Sequence, residues 1–82
     1  MNYTVTQENY DKAIEILAFI NCQIRAMERK HGASVCNYTV YNTQTEKLRD
    51  EKILLSVALG IDIATIEESV STRTHQLELA AD

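Results

Sequence analysis

The 82-residue chain has no proline, only two glycines (Gly32 and Gly60), two cysteines and no tryptophan. With so few residues that interrupt regular backbone, long helices are favoured. Cys22 and Cys36 are too few for a disulfide framework, and the N-terminal MNYTVTQENYDK lacks the basic-then-apolar order of a secretory leader. A cytoplasmic setting is expected. Glycosylation sequons at Asn2-Tyr3-Thr4 and Asn37-Tyr38-Thr39 are then chance matches. The longest apolar run, Ile53 to Ile66, is about 14 residues long and contains Asp62, short of the roughly 20 needed to span a bilayer, so no membrane anchor is expected.

That run reads ILLSVALGIDIATI and is apolar on nearly every helical face. A helix hydrophobic all round has to be covered all round. A chain this short forms one domain, residues 1–82, whose own core supplies only a few kcal/mol of stability. The expectation is therefore a helical homo-oligomer, dimer or tetramer, in which copies cover one another.

Charge is distributed unevenly. The net charge is −4, and all of it falls in residues 62–82, where Asp62, Glu67, Glu68, Glu78 and Asp82 oppose Arg73 alone. Such a surface repels phosphate backbones and suits a solvated helix end or a basic partner. Residues 70–82 read as an acidic tail that frays.

The tetrapeptide Asn-Tyr-Thr-Val occurs at residues 2–5 and again at 37–40. Each copy is β-prone and leads through polar residues into a helical pattern, which predicts strand-helix-strand-helix order. The fold class expected is mainly α with a short β element: two long helices in a hairpin or dimeric bundle, with one or two short strands. Helix 1 should start after Thr6 as N-cap, with Glu8 and Asp11 early and Arg25, Arg29 and Lys30 late, as the helix dipole favours, and Gly32 should end it. Tyr10, Ala13, Leu17, Ile20, Ile24 and Met27 recur at alternating spacings of three and four, the seam of a coiled coil, while Ile14, Ile16 and Phe19 widen it beyond a two-stranded contact. A second strand is expected over residues 34–41 with Val35, Tyr38 and Val40. Thr43-Gln44-Thr45-Glu46 is a capping box that should open helix 2.

Helix 2 presents Leu48, Leu55, Leu59, Ile66 and Val70 on one side, Leu54, Val57 and Ile61 on another, and a line of small residues at Ser56, Gly60 and Ala64 suited to close helix packing. It is expected to run through Gly60. The alternative is that Gly60 ends one helix and Asp62 caps the next. The expected oligomer interface comprises Leu17, Ile20, Ile24, Leu55, Ser56, Leu59, Gly60 and Ile66.

Chemistry is sparse. His31, His75, Cys22 and Cys36 give no convergent set of zinc ligands, so no metal is expected. There is no phosphate-binding glycine loop, nucleophile elbow or His-Glu-x-x-His pattern. The chain reads as a non-enzyme that needs no cofactor. Leu59-Gly60-Ile61 followed by Ala64-Thr65-Ile66 is similar to the turn of a helix-turn-helix, but its recognition face would turn Asp62, Glu67 and Glu68 toward DNA, so nucleic acid is not the expected partner.

The helix segment Ala18-Phe19-Ile20-Asn21-Cys22-Gln23-Ile24, a polar connection, and the charged-then-apolar Leu48-Arg49-Asp50-Glu51-Lys52-Ile53-Leu54-Leu55-Ser56-Val57-Ala58-Leu59-Gly60-Ile61 resemble the ZapA family of Z-ring-associated cell-division proteins over residues 3–68. Gly60 stands where that family commonly has Asn. The resemblance implies a cytoplasmic dimer or tetramer that binds a tubulin-like division GTPase and bundles its filaments. Charge placement puts the partner-binding contact on Arg25, Arg29, Lys30, Lys47 and Arg49. The alternative reading is a small phage-type or plasmid-type inhibitor that occupies a host protein through its acidic surface.

Overall fold

A computed structural model describes residues 7–80, with the side chain of Gln7 left out. The described residues form three α-helices and a 3₁₀ segment: α1 (Gln7–His31), the 3₁₀ turn Gly32–Asn37, α2 (Thr39–Leu59) and α3 (Ile63–Ala80). The molecule measures 41 × 27 × 20 Å, the thickness of two helix layers. α1 is the shared wall, packed most closely on α3 and less closely on α2.

α1 follows its pattern. Glu8 lies in its first turn and Arg29, Lys30 and His31 in its last, as the macrodipole favours, and Lys12 pairs with Glu8 one turn away. It stops at Gly32, whose φ of 58° is the left-handed region that ends helices. The Thr6 cap and the strand expected over residues 2–5 lie outside the described residues.

The expected second strand is absent: residues 34–41 contain no β-structure. Val35 is buried in the 3₁₀ turn, Tyr38 alone is extended (φ −96°, ψ 121°), and Thr39 already begins α2. Isolated strand pairs are marginal in water, whereas an early start to α2 gives this backbone its partners locally. Tyr38 O accepts the first helical bond from Asn42 N at 3.2 Å, and the Asn42 side-chain amide donates to Cys36 O at 2.9 Å. The Tyr38 ring also lies against His31, centroids 4.3 Å apart. The capping box is consequently no cap. Thr43 and Glu46 sit inside α2, and the Thr45 hydroxyl donates to Asn42 O.

Helix 2 is likewise not continuous. Gly60 adopts φ 66° and ψ 29°, its N–H and that of Ile61 both bond to Ser56 O, and the Ser56 hydroxyl donates to Ile61 O. This is a Schellman-type stop. Asp62 then starts α3: its carbonyl accepts from Thr65 N and Ile66 N, while its carboxylate reaches the Ala64 N–H only at 3.5 Å. The described residues therefore form three α-helices where two long ones were expected.

The core collects Ile14, Leu17, Ile20 and Ile24 of α1, Leu48 of α2, and Ile66 and Val70 of α3, with Tyr10, Tyr41, Leu55 and Ile61 packed around them. The heptad-like seam of α1 thus packs on the same chain's α2 and α3. A polar seam sets the register of α1 on α3. The Tyr10 hydroxyl donates to Ser69 Oγ at 3.2 Å, the Asn21 amide to Thr74 Oγ1 at 3.0 Å, and the buried Thr74 hydroxyl in turn donates to Val70 O at 2.7 Å. Further out, Arg73 reaches Glu15 at 2.8 Å, and Arg25 and Arg29 both hold Glu78.

Candidate functional site

α2 is the anomalous element. Of its 21 residues, all described, Leu48 alone is buried. Val40, Ile53, Leu54 and Val57 stand exposed on it, Val57 at 78%. A helix with this composition normally turns such side chains onto a neighbour. Here no element among the described residues covers them.

Between α2 and α1 runs an open groove of about 670 Å³, lined by Ala13, Ile16, Leu17 and Ile20 from one helix and by Leu54, Leu55 and Ala58 from the other. The two alanines leave its walls low. Ile16 of α1 and Leu54 of α2 line it, Phe19 and Val57 follow them one turn along, and all four are more than half exposed. Each pair has i, i+3 spacing, so its members are neighbours on one flank of their helix. Together the four expose on the order of 500 Å² of side chain, at the upper end of what a lone soluble protein usually shows. Asn9, Lys47 and Glu51 mark the polar edge of the groove.

The residues expected to form an oligomer interface are largely used elsewhere. Leu17, Ile20, Ile24 and Ile66 are buried in the core of the single chain, Ile66 completely. Leu55 is half-buried against that core, Leu59 is half-buried, Ser56 ties the α2–α3 turn, and Gly60 forms it. These eight do not make one free face. Of the exposed large apolar side chains, which also include Tyr38, Val40, Ile53 and Leu79, the group beside the groove is Ile16, Phe19, Leu54 and Val57.

The five basic residues expected to bind a partner also separate. Arg25 and Arg29 are turned to α3, where Glu78 accepts from both at 3.1 and 2.9 Å, and these hydrogen bonds hold the Glu78 carboxyl below the ordinary carboxylate range. Arg25 and Arg49 share a concavity of about 530 Å³ where the three helices meet, together with Lys52, Glu28 and Glu67. Among the described residues Arg49 makes a long 3.6 Å pair with its exposed neighbour Asp50. Lys47 is across α2 on the groove edge, and Lys30 is exposed near the end of α1.

The remaining reactive groups are occupied or ordinary. Burial between α1 and α3, more than the nearby Glu78, pushes the Cys22 thiol up, and its Sγ donates to Thr74 O. Cys36 is exposed and donates to Ala33 O. The Tyr41 hydroxyl donates to Glu28 at 3.0 Å, which raises its phenol above the usual value. Asp62 is exposed at the head of α3, beside the exposed Glu67 and Glu68. Among the described residues no group of three or more His, Cys, Asp and Glu side chains is placed to hold a metal ion, and no helix is long and apolar enough to cross a membrane.

The chain matches no protein-family model, no curated protein and no solved structure.

Proposed function

We propose that this chain is a non-enzymatic contact module that assembles with copies of itself through the α1–α2 face. The observation that carries this reading is the exposure of α2: a 21-residue helix with one buried side chain, beside an apolar groove. A second copy is the proposed occupant, and this face is where the charges do not oppose it. Elsewhere the chain, at −4 overall, repels its like, most strongly along the Glu67 and Glu68 side of α3. The groove edge carries one cation, Lys47, and one anion, Glu51, so a copy brought against it meets no net like charge. Area agrees. The four flanking side chains with the groove walls reach, in a pair, about the 1,000 Å² from which specific interfaces begin.

The test is the solution mass. Light scattering on the 9.3 kDa chain should report a multiple of that mass at micromolar concentration and a decline on dilution. Val57→Asp puts a carboxylate on the most exposed apolar position of the face and should give single-chain mass with unchanged circular dichroism. A native chain that stays single across the whole concentration range would overturn the reading.

A further inference from the structure

An exposed aromatic ring lies one helical turn from the wall of the groove. Phe19 is the only phenylalanine in a sequence without tryptophan, yet it is 58% exposed, while Tyr10 and Tyr41 pack against the aliphatic core. It lies three residues beyond Ile16, and Ile16 lines the groove. A protruding aromatic ring next to an apolar recess is a self-complementary surface. Two copies related by a two-fold axis can each insert the ring into the recess of the other, so a single patch satisfies both partners. Resting on the self-association reading above, we propose that the assembly is a two-fold dimer in which Phe19 of each copy seats in the partner's groove between α1 and α2, over Ala13 and Ala58.

Three features support the assignment. The recess has room for a phenyl ring and its neighbours, because the side chains at 13 and 58 end at Cβ while Ile16, Ile20 and Leu54 rise around them. Its floor, Leu17 and Leu55, is apolar and already packed on the core, so the ring meets a formed surface and orders little on entry. The polar groups at its edge, Asn9, Lys47 and Glu51, surround an apolar centre, the arrangement in which one buried aromatic anchor carries much of the affinity.

Two substitutions test the anchor separately from the dimer. Phe19→Ala removes the ring at an exposed position, so the monomer fold should persist by circular dichroism while dimerisation weakens at least about thirtyfold, the effect of losing one interface anchor. Phe19→Trp keeps an aromatic anchor and places the only indole of the chain at the site. Its emission should shift to the blue as concentration rises through the monomer–dimer range and return to the exposed wavelength on dilution. Ala58→Leu fills the recess and should weaken the dimer without touching Phe19. A dimer that survives both Phe19→Ala and Ala58→Leu, with a tryptophan emission independent of concentration, would overturn the anchor while leaving self-association standing. A native chain monomeric throughout would overturn both.

Discussion

Replacing Leu48 by alanine probes how α2 is held. Leu48 is 7% exposed and is the only buried side chain on that helix, whereas its exposed apolar residues gain much less within one copy. Truncating a buried leucine removes its transfer free energy and leaves a cavity, together about 3 kcal/mol. A domain of this size has a stability of about 4–12 kcal/mol, so the loss is a large share of the whole. At the unfolding midpoint it should lower Tm by about 15 °C. Urea unfolding followed by circular dichroism, at a concentration below self-association, should show a lower midpoint with the slope kept. Detachment of α2 ahead of the rest would instead cost helical signal before the main transition. Val57→Ala on the same helix, measured in the same way, should shift stability by less than about 0.5 kcal/mol. A Leu48→Ala loss below about 1 kcal/mol would refute the argument that this one side chain anchors α2.

Gly60→Ala should cost about 1 kcal/mol in the same unfolding assay, because φ is 66° while a Cβ there would meet nothing within 4 Å, so backbone strain is the only penalty. Gln44→Met should stabilise the fold by about 1 kcal/mol, since the Gln44 side-chain oxygen is buried without a hydrogen-bond partner among the described residues; an unchanged or lower Tm would show that this oxygen is already satisfied. The Glu78 carboxyl is lowered by Arg25 and Arg29, so its contribution is present above the unfolded carboxylate pKa and is lost as pH falls through the lower folded value. Acid titration of Tm should therefore be shallower in Glu78→Gln than in the native chain over that window, and identical slopes would refute the pairing.

Helical class was legible because it rests on composition and local repeats. The stripe of α1 and its stop at Gly32 needed only the spacing of apolar residues and one glycine. The region 34–41 was misread because Val, Tyr and Thr favour strands only where a neighbouring strand exists to use them. No such neighbour lies among the described residues, and Tyr38 became the entry to α2. The capping box failed for a related reason. Thr43 and Glu46 satisfy the pattern of a helix start, but the helix had already begun at Thr39. Gly60 was ambiguous at the local level, since a glycine tolerated inside a helix and one that ends it share the same immediate sequence. Packing of Ile61 and Ile66 into the shared core selects the turn.

Composition alone required that some apolar surface be left over: a chain this short, with an apolar run through Ile53 to Ile66 and a widened stripe on α1, has more oil than one small core encloses. Which residues are left over was decided only by the tertiary fold. The break at Gly60 folds α3 back onto α1, so that Ile66, Leu17, Ile20 and Ile24 are consumed inside the chain, and it leaves α2 with one anchor and Leu54 and Val57 facing outward beside Ile16 and Phe19. The physical reason is that helical periodicity assigns a residue to a face of its own helix, whereas the identity of the neighbour across that face depends on how the helices are turned relative to one another.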